Sequence, residues 1–431
     1  MSSLYQFPVS KPVHAMKVTS PDFQVDLLEN NLYINFDEVR STDAIDGIKT
    51  TLGIIKNELT VTNDYEVILI SGHRGCGKTS ELKKLHSELN KPELYVSIFI
   101  SIEEELELSS FSQEHLYFLL LTKLVERMEE VGISTNLGSL NKLAELLFED
   151  HEKERKSGTS AGVEATVEKE VGIDWWGFIK LKGGVKAKLA ADKTFTDTIT
   201  RKIRLNLIDF VNKVNLLLVD VREAFIHKEA GQDILFIIDG SEKIPFEEYK
   251  KIFVDNAYTI KALSANVLAA VTINAWYEIQ NSATGFPSNY LLPMLNTDAT
   301  EYRSLMKEAL EKRIDVSNLI YQDAVKEIID HSGGCIRQMY ILTNYMLNFA
   351  RGEKATKEMA NKAIYKEGQR LYEQLNTEHV DMLKKIKSNP NDIRYGDKIV
   401  TDLLFGLQLL KYNGLSKVNP VLQRYLDDKI K

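Results

Sequence analysis

Apolar positions along the chain follow two rhythms, and their alternation sets the first expectation of the fold. Short strand-like runs occur at residues 33–36, 66–70, 94–102, 234–239 and 266–273. Helical spacing fills the intervals between them. Ile45, Ile48, Leu52, Ile55 and Leu59 share one face over residues 43–59, and Leu82, Leu85 and Leu89 share one over 79–89. Residues 111–131 and 198–227 read as long helices. Strands alternating with helices predict an α/β fold, a doubly wound parallel sheet.

Residues 151–200 change character. The stretch 153–160 is polar and loop-like, whereas 163–167 and 178–182 alternate with period two, and Gly183-Gly184 marks a turn. A β-hairpin insertion spanning 151–197 is the expectation. From residue 300 to 389 the pattern is almost wholly helical. A helix at 403–410, a turn at Tyr412-Asn413-Gly414 and a strand at 415–418 then predict a helix-turn-wing module. The expected organisation is an N-terminal extension (1–30), a core (31–298), a helical lid (299–375) and a winged-helix-like module (376–431).

Composition narrows the class only a little. An apolar fraction of 44% with 27% charged residues is that of a globular protein, so disorder is not the main theme. Acidic residues outnumber basic ones 62 to 54, which argues against a general nucleic-acid coat and leaves local basic patches open. Cys76 and Cys335 are far apart and resemble neither half a disulfide framework nor a metal site. The N-terminus lacks the basic-then-apolar order of a signal peptide, and no apolar run approaches the roughly 18 residues of a membrane span. A cytoplasmic protein with no membrane partner is expected.

The chemistry starts at Gly72-His73-Arg74-Gly75-Cys76-Gly77-Lys78-Thr79, a complete G-x-x-x-x-G-K-[ST] pattern between a predicted strand and a predicted helix. Glycines there let backbone N–H groups turn inward around phosphates, and the helix start adds its dipole. Gly72, Arg74, Gly75, Cys76, Gly77, Lys78, Thr79 and Ser80 are the candidate nucleotide-binding residues. Lys78 is expected to reach the β and γ phosphates and the Thr79 hydroxyl to hold Mg²⁺.

A second acid for the metal is expected at the end of a buried strand, and Asp239 closes the run 234–239. Its bland alternative is a helix N-cap. Glu242, in Asp239-Gly240-Ser241-Glu242, either polarises an attacking water or is a solvated turn carboxylate. Thr272, with Asn274 behind it, either senses the γ-phosphate or makes local loop hydrogen bonds. Arg337, after Gly333-Gly334, either reaches back to the γ-phosphate or sits in a surface salt bridge. Arg303 and Arg313 would act in trans across a subunit interface if they are not simply solvated. Lys180, Lys182, Lys186, Lys188, Lys193, Arg201, Lys202 and Arg204, with Trp175-Trp176, form either a partner-binding or nucleic-acid-binding arm or a solvated one.

In their order, the phosphate loop, the Ile238-Asp239-Gly240-Ser241-Glu242 strand end, the Thr272 strand and Gly333-Gly334 with Arg337 resemble the AAA+/STAND superfamily of P-loop ATPases, over about residues 30–370. The Asp-Gly-x-Glu strand end is more similar to the NACHT and KAP type, and the compact layout to bacterial ATPases of phage-defence systems. The resemblance implies ATP and Mg²⁺ as ligands, a helical lid, a winged helix, slow hydrolysis and an ATP-dependent homo-oligomer. About 30 residues precede the core and little follows the winged helix, so any effector is expected to be a separate protein. The competing class is a DNA-binding AAA+ ATPase of the origin-recognition or transposition-regulator type, which Lys411, Lys417 and Arg424 would serve.

Overall fold

In the computed structural model the sheet forms where the apolar runs predicted it. The structure describes residues 5–23, 25–40, 50–62, 64–105, 111–135, 137–157, 193–241, 244, 246–274, 276–277, 288–390 and 393–429. Five strands, β1 (Val67–Gly72), β2 (Tyr95–Ser101), β3 (Asp233–Asp239), β4 (Asn266–Val271) and β5 (Asn289–Leu292), lie in the order β2-β3-β4-β1-β5. Every pairing is parallel.

Alternation along each strand sends side chains to both faces, and both faces are covered. Ile68, Ile70, Leu235, Ile237 and Leu268 pack against α2 (Thr51–Val61) and α3 (Lys78–Leu89) through Leu52, Ile55, Leu82 and Leu85. Val67, Leu69, Ile98, Phe236 and Val267 face the opposite way. Their cover is α4 (Gln113–Val131), α5 (Gly138–Ser157), α6 (Lys193–Leu205) and α7 (Leu207–His227). Each fully buried aliphatic side chain of this kind contributes roughly 1.5–3 kcal/mol.

β1 and β4 are neighbours whose connections leave in opposite directions. The chain from β1 crosses β4 and β3 to reach β2, while the chain from β4 crosses β1 to reach β5. Such a reversal opens a crevice at the carboxyl ends of the two strands. The fold is therefore that of a P-loop NTPase, with its phosphate loop at the crevice.

Several local expectations are corrected. Residues 33–36 are extended but pair with no strand; Ile34 and Phe36 instead enter the apolar core of the lid. Residues 153–157 are helical as the end of α5. The helix expected over 198–227 begins earlier and is interrupted at Asn206. The helix expected over 403–410 stops at Phe405, because Leu407 takes a left-handed φ of 64° and releases the chain into a strand. β5 and a helix over Pro12–Val18, here α1, were not foreseen. The hairpin expected at 163–182, with Trp175, Trp176, Lys180, Lys182, Lys186 and Lys188, lies outside the described residues, as do Ile45, Ile48 and Glu242.

The C-terminal half is helical as expected, with α8 (Tyr302–Arg313), α9 (Gln322–His331), α10 (Ile336–Ala350) and α11 (Lys357–Tyr372) forming the lid. A winged-helix-like module follows: α12 (Thr377–Ser388), α13 (Lys398–Phe405), the antiparallel pair β6 (Leu409–Lys411) and β7 (Ser416–Val418), and α14 (Pro420–Lys429). Val9, Ala15 and Val18 from the N-terminal segment share one core with the lid and this module. No described helix is long and apolar enough to cross a membrane.

The module is fastened to the phosphate loop through His73. Its ring is buried, with Nδ1 3.0 Å from the Leu404 carbonyl and Nε2 accepting from the Lys411 backbone N–H at 2.7 Å. Nε2 must be unprotonated to accept, so Nδ1 carries the proton and donates to Leu404. Burial, reinforced by the nearby charge of Lys78, lowers the His73 pKa to about 3. At the other side of the loop, Gly334 (φ 74°) lets lid and sheet meet: a Cβ there would stand 2.2 Å from the Leu295 carbonyl oxygen.

Two outcomes follow from this junction. Gly334→Ala combines a left-handed backbone with a backbone collision, and is expected to lose about 2 kcal/mol of stability in urea unfolding. For His73, the unfolded chain takes up a proton near pH 6.5 while the folded chain does not until about pH 3. The unfolded state thus binds more protons, and stability falls with pH below about 6.5, by about 1.4 kcal/mol per unit. Urea unfolding at pH 7.5 and 5.5 is expected to show that loss in the wild type and its removal in His73→Asn.

Candidate functional site

The site is built around a loop whose backbone must face inward. β1 ends at Gly72, and α3 starts at Lys78 after Gly77 in a left-handed conformation. Lys78 is buried, and its Nζ donates to the carbonyls of Gly72 at 2.9 Å and His73 at 3.1 Å. Gly75 has a φ of 83°, and a Cβ on it would lie 2.4 Å from Cβ of Arg337. Glycine is therefore what lets the lid helix α10 rest on the loop. The Arg337 N–H points to the Gly75 carbonyl at 3.4 Å, closing that contact.

A cavity of about 690 Å³ opens on this loop, within the range of small-molecule sites. Arg74, Gly75, Gly77, Lys78, Thr79 and Ser80 line its floor, and Asp239 and Arg337 line its walls. Asp239 is buried at the end of β3. Arg337 is half-buried, and both burial and the neighbouring Arg74 oppose its charge, lowering its pKa. Two guanidinium groups whose charges oppose each other are relieved by an anion. Thr79 and Asp239 both line the cavity and could hold a divalent cation there.

The structure separates some candidates from this group. Gly72 and Cys76 support the loop from below: Cys76 is buried, and its carbonyl accepts from Arg40. Thr272 follows β4 beside β1, where its carbonyl accepts from the Ser71 hydroxyl at 3.2 Å; it does not line the cavity. Arg303 is exposed and pairs with Asp330 at 2.6 Å, outside the cavity. Arg313 is buried, stacked 4.1 Å over the Tyr340 ring, and lines this chain's own cavity. Arg313 is therefore turned toward this chain's own cavity and not out to solvent. Cys335 belongs with Cys76 to one apolar cluster at the loop–lid junction, and both are free thiols. Burial pushes the Cys335 thiol up to about 12.

The apolar half of the cavity comes from a segment that pattern reading left without a role. Phe23, Val25, Leu27, Leu32 and Ile34 line it, with Ile336 and Tyr340 from α10 opposite. The signal was present, because residues 21–27 alternate apolar and polar. That segment is pinned at two points. Tyr33 donates to Glu81 of α3 at 2.9 Å, and the buried Arg40 pairs with the other oxygen of Glu81 at 3.4 Å. Lys411, Lys417 and Arg424 each have partners within the chain: Tyr395, Asp298 and Glu327 respectively.

No family model and no curated protein matches the chain. Among solved structures, a Walker-type ATPase of Pyrococcus abyssi is similar over 91% of this chain and 100% of that one, at 14% identity and a TM-score of 0.44. Cdc6p from Pyrobaculum aerophilum is similar over 96% and 98%, at 10% identity and 0.37. The Aeropyrum pernix Orc1 protein, solved in complex with DNA, is similar over 88% and 91%, at 12% identity and 0.36. The fold assignment stands on this chain's own sheet order and loop geometry.

Proposed function

We propose that the chain is a regulatory ATPase of the AAA+ type, a switch that reports the bound nucleotide to its own lid and C-terminal module. One observation carries the reading: the phosphate loop touches the lid through Gly75 and Arg337 and the module through His73. A triphosphate seated in the loop would meet Lys78 Nζ, the N-terminus of α3 and the paired guanidiniums of Arg74 and Arg337. The cavity's apolar half, with Phe23, Leu27 and Tyr340, suits a flat base.

A divalent cation bound with the nucleotide supplies charge that stabilises the transferring phosphoryl group. Thr79 and Asp239 are the residues to hold it. Lys78 binds and orients the phosphates, and Arg337 makes their presence felt by α10. Gly75 lies against Arg337, so a phosphate that draws this side chain inward also moves the helix that carries it. The lid shares a core with the N-terminal segment that walls the cavity, which supports a single response of both. Assembly into a homo-oligomer and action on a separate effector protein belong to the same proposal.

Lys78→Ala is expected to weaken Mg-ATP binding at least about 100-fold, since it removes a charged partner of both terminal phosphates. Arg337→Ala is expected to bind ADP within about threefold of wild type and to lose most of the preference for ATP over ADP. Fluorescent-nucleotide titration measures both, and light scattering with ATP and ADP follows assembly. ATP binding by Lys78→Ala at wild-type strength, or one particle size under every nucleotide condition, would count against the switch.

A further inference from the structure

We infer that Glu103, in the short helix Ile102–Glu105 that follows β2, is the carboxylate that takes the proton from the water attacking the γ-phosphate. The inference rests on the ATPase reading and deepens it.

β2 and β3 run side by side in parallel, with Ser101 in register with Asp239. Residues just beyond those two therefore emerge next to each other at the carboxyl edge of the sheet. Gly240 turns there with a φ of 81°. A Cβ on Gly240 would lie 3.5 Å from the Glu103 N and 3.9 Å from the Glu103 Cβ. Glu103 thus flanks the turn that follows the metal-side aspartate.

Glu103 also lines the cavity, as do Asp239, Lys78 and Thr79. It is half-buried, so its carboxylate can meet a water without being fully solvated. Of the neighbouring glutamates, Glu104 also lines the cavity but is exposed, and Glu105 is not among the lining residues. Of the three, Glu103 combines cavity lining with partial shelter.

The chemistry asks for a carboxylate at this place. As the water oxygen bonds to the γ-phosphorus and the bond to the ADP oxygen breaks, the water must lose a proton. Glu103 accepts it and later returns it to the released phosphate or to solvent. The balance is ATP and water to ADP, inorganic phosphate and a proton. Asp239 is less suited to the task, because a carboxylate that would hold a divalent cation would be kept ionised by it.

Phosphate release and nucleotide binding by the full chain test the assignment. Glu103→Gln, which keeps the shape and removes the basicity, is expected to slow turnover at least about 100-fold. It should bind ATPγS within about threefold of wild type and lose capture of ADP-tetrafluoroaluminate with Mg²⁺. Glu103→Asp should recover part of the rate, and Glu105→Gln should stay near wild type. Turnover of Glu103→Gln within about threefold of wild type, or the loss appearing in Glu242→Gln instead, overturns the role of Glu103 while the ATPase reading stands. A wild type that binds Mg-ATP and never releases phosphate overturns both.

Discussion

Everything around the site depends on one stretch of backbone, residues 72–77, being held from four directions with its carbonyls satisfied. Lys78 takes the carbonyls of Gly72 and His73, Arg40 takes that of Cys76, and the Arg337 N–H takes that of Gly75. The His73 ring is held by Leu404 and Lys411. A loop that turns its N–H groups inward must direct carbonyls outward, and buried carbonyls need donors. Here the donors come from α3, the N-terminal segment and the lid, while the C-terminal module holds the loop through the His73 ring. The loop is therefore the place where those parts of the chain meet.

The same constraint explains why the glycines and the arginine belong together. Gly75 has no room for a side chain because Arg337 occupies the space, and Gly334 has none because Leu295 does. A lid helix this close to the loop brings its own cation beside Arg74. That arrangement costs repulsion and burial, both of which act against the charge of Arg337. Arg313 shows the contrasting solution, with its charge spread over the Tyr340 ring and its Nη1 donating to the Val18 carbonyl at 3.4 Å. Arg303 lies on the outside, in an exposed ion pair that solvent screens.

Legibility followed burial and locality. β1 to β4 were readable because strands covered on both faces must be apolar throughout, and Ile68, Ile237 and Leu268 announce that. β5 was not, since it is a four-residue edge strand with the polar Asn289 at its head. Residues 33–36 carry strand-like residues without a partner strand, so tertiary packing decided their fate. Asp239 and Arg337 were foreseen from their positions after a strand and after a glycine pair. His73 could not be, because both its partners are backbone atoms more than 300 residues away, and backbone acceptors leave no mark in a sequence. Glu103 was passed over as one acidic residue in a run. Its approach to the Gly240 turn and its half-buried place on the cavity, neither visible in the sequence, separate it from its neighbours.

A coupled loop has consequences in both directions. Whatever the phosphates do to Lys78 and Arg337, docking of the lid and module must do in reverse to nucleotide affinity, since coupling between sites is reciprocal. The strengths favour a responsive system. The hydrogen bonds of neutral His73 are each worth roughly 1 kcal/mol, while phosphate contacts to Lys78 and Arg337 are charge-assisted and worth roughly 1.5–3 kcal/mol each. In the proposed switch, the nucleotide terms can therefore outweigh the bonds that hold the module, provided that loop movement strains them. Lys78 makes that link direct, because it holds the carbonyl of His73 itself. A proton of Lys78 Nζ that turns to phosphate leaves that carbonyl with one donor fewer, the Cys76 N–H at 3.2 Å remaining, and the residue whose backbone is then held less firmly is the one whose ring carries the module.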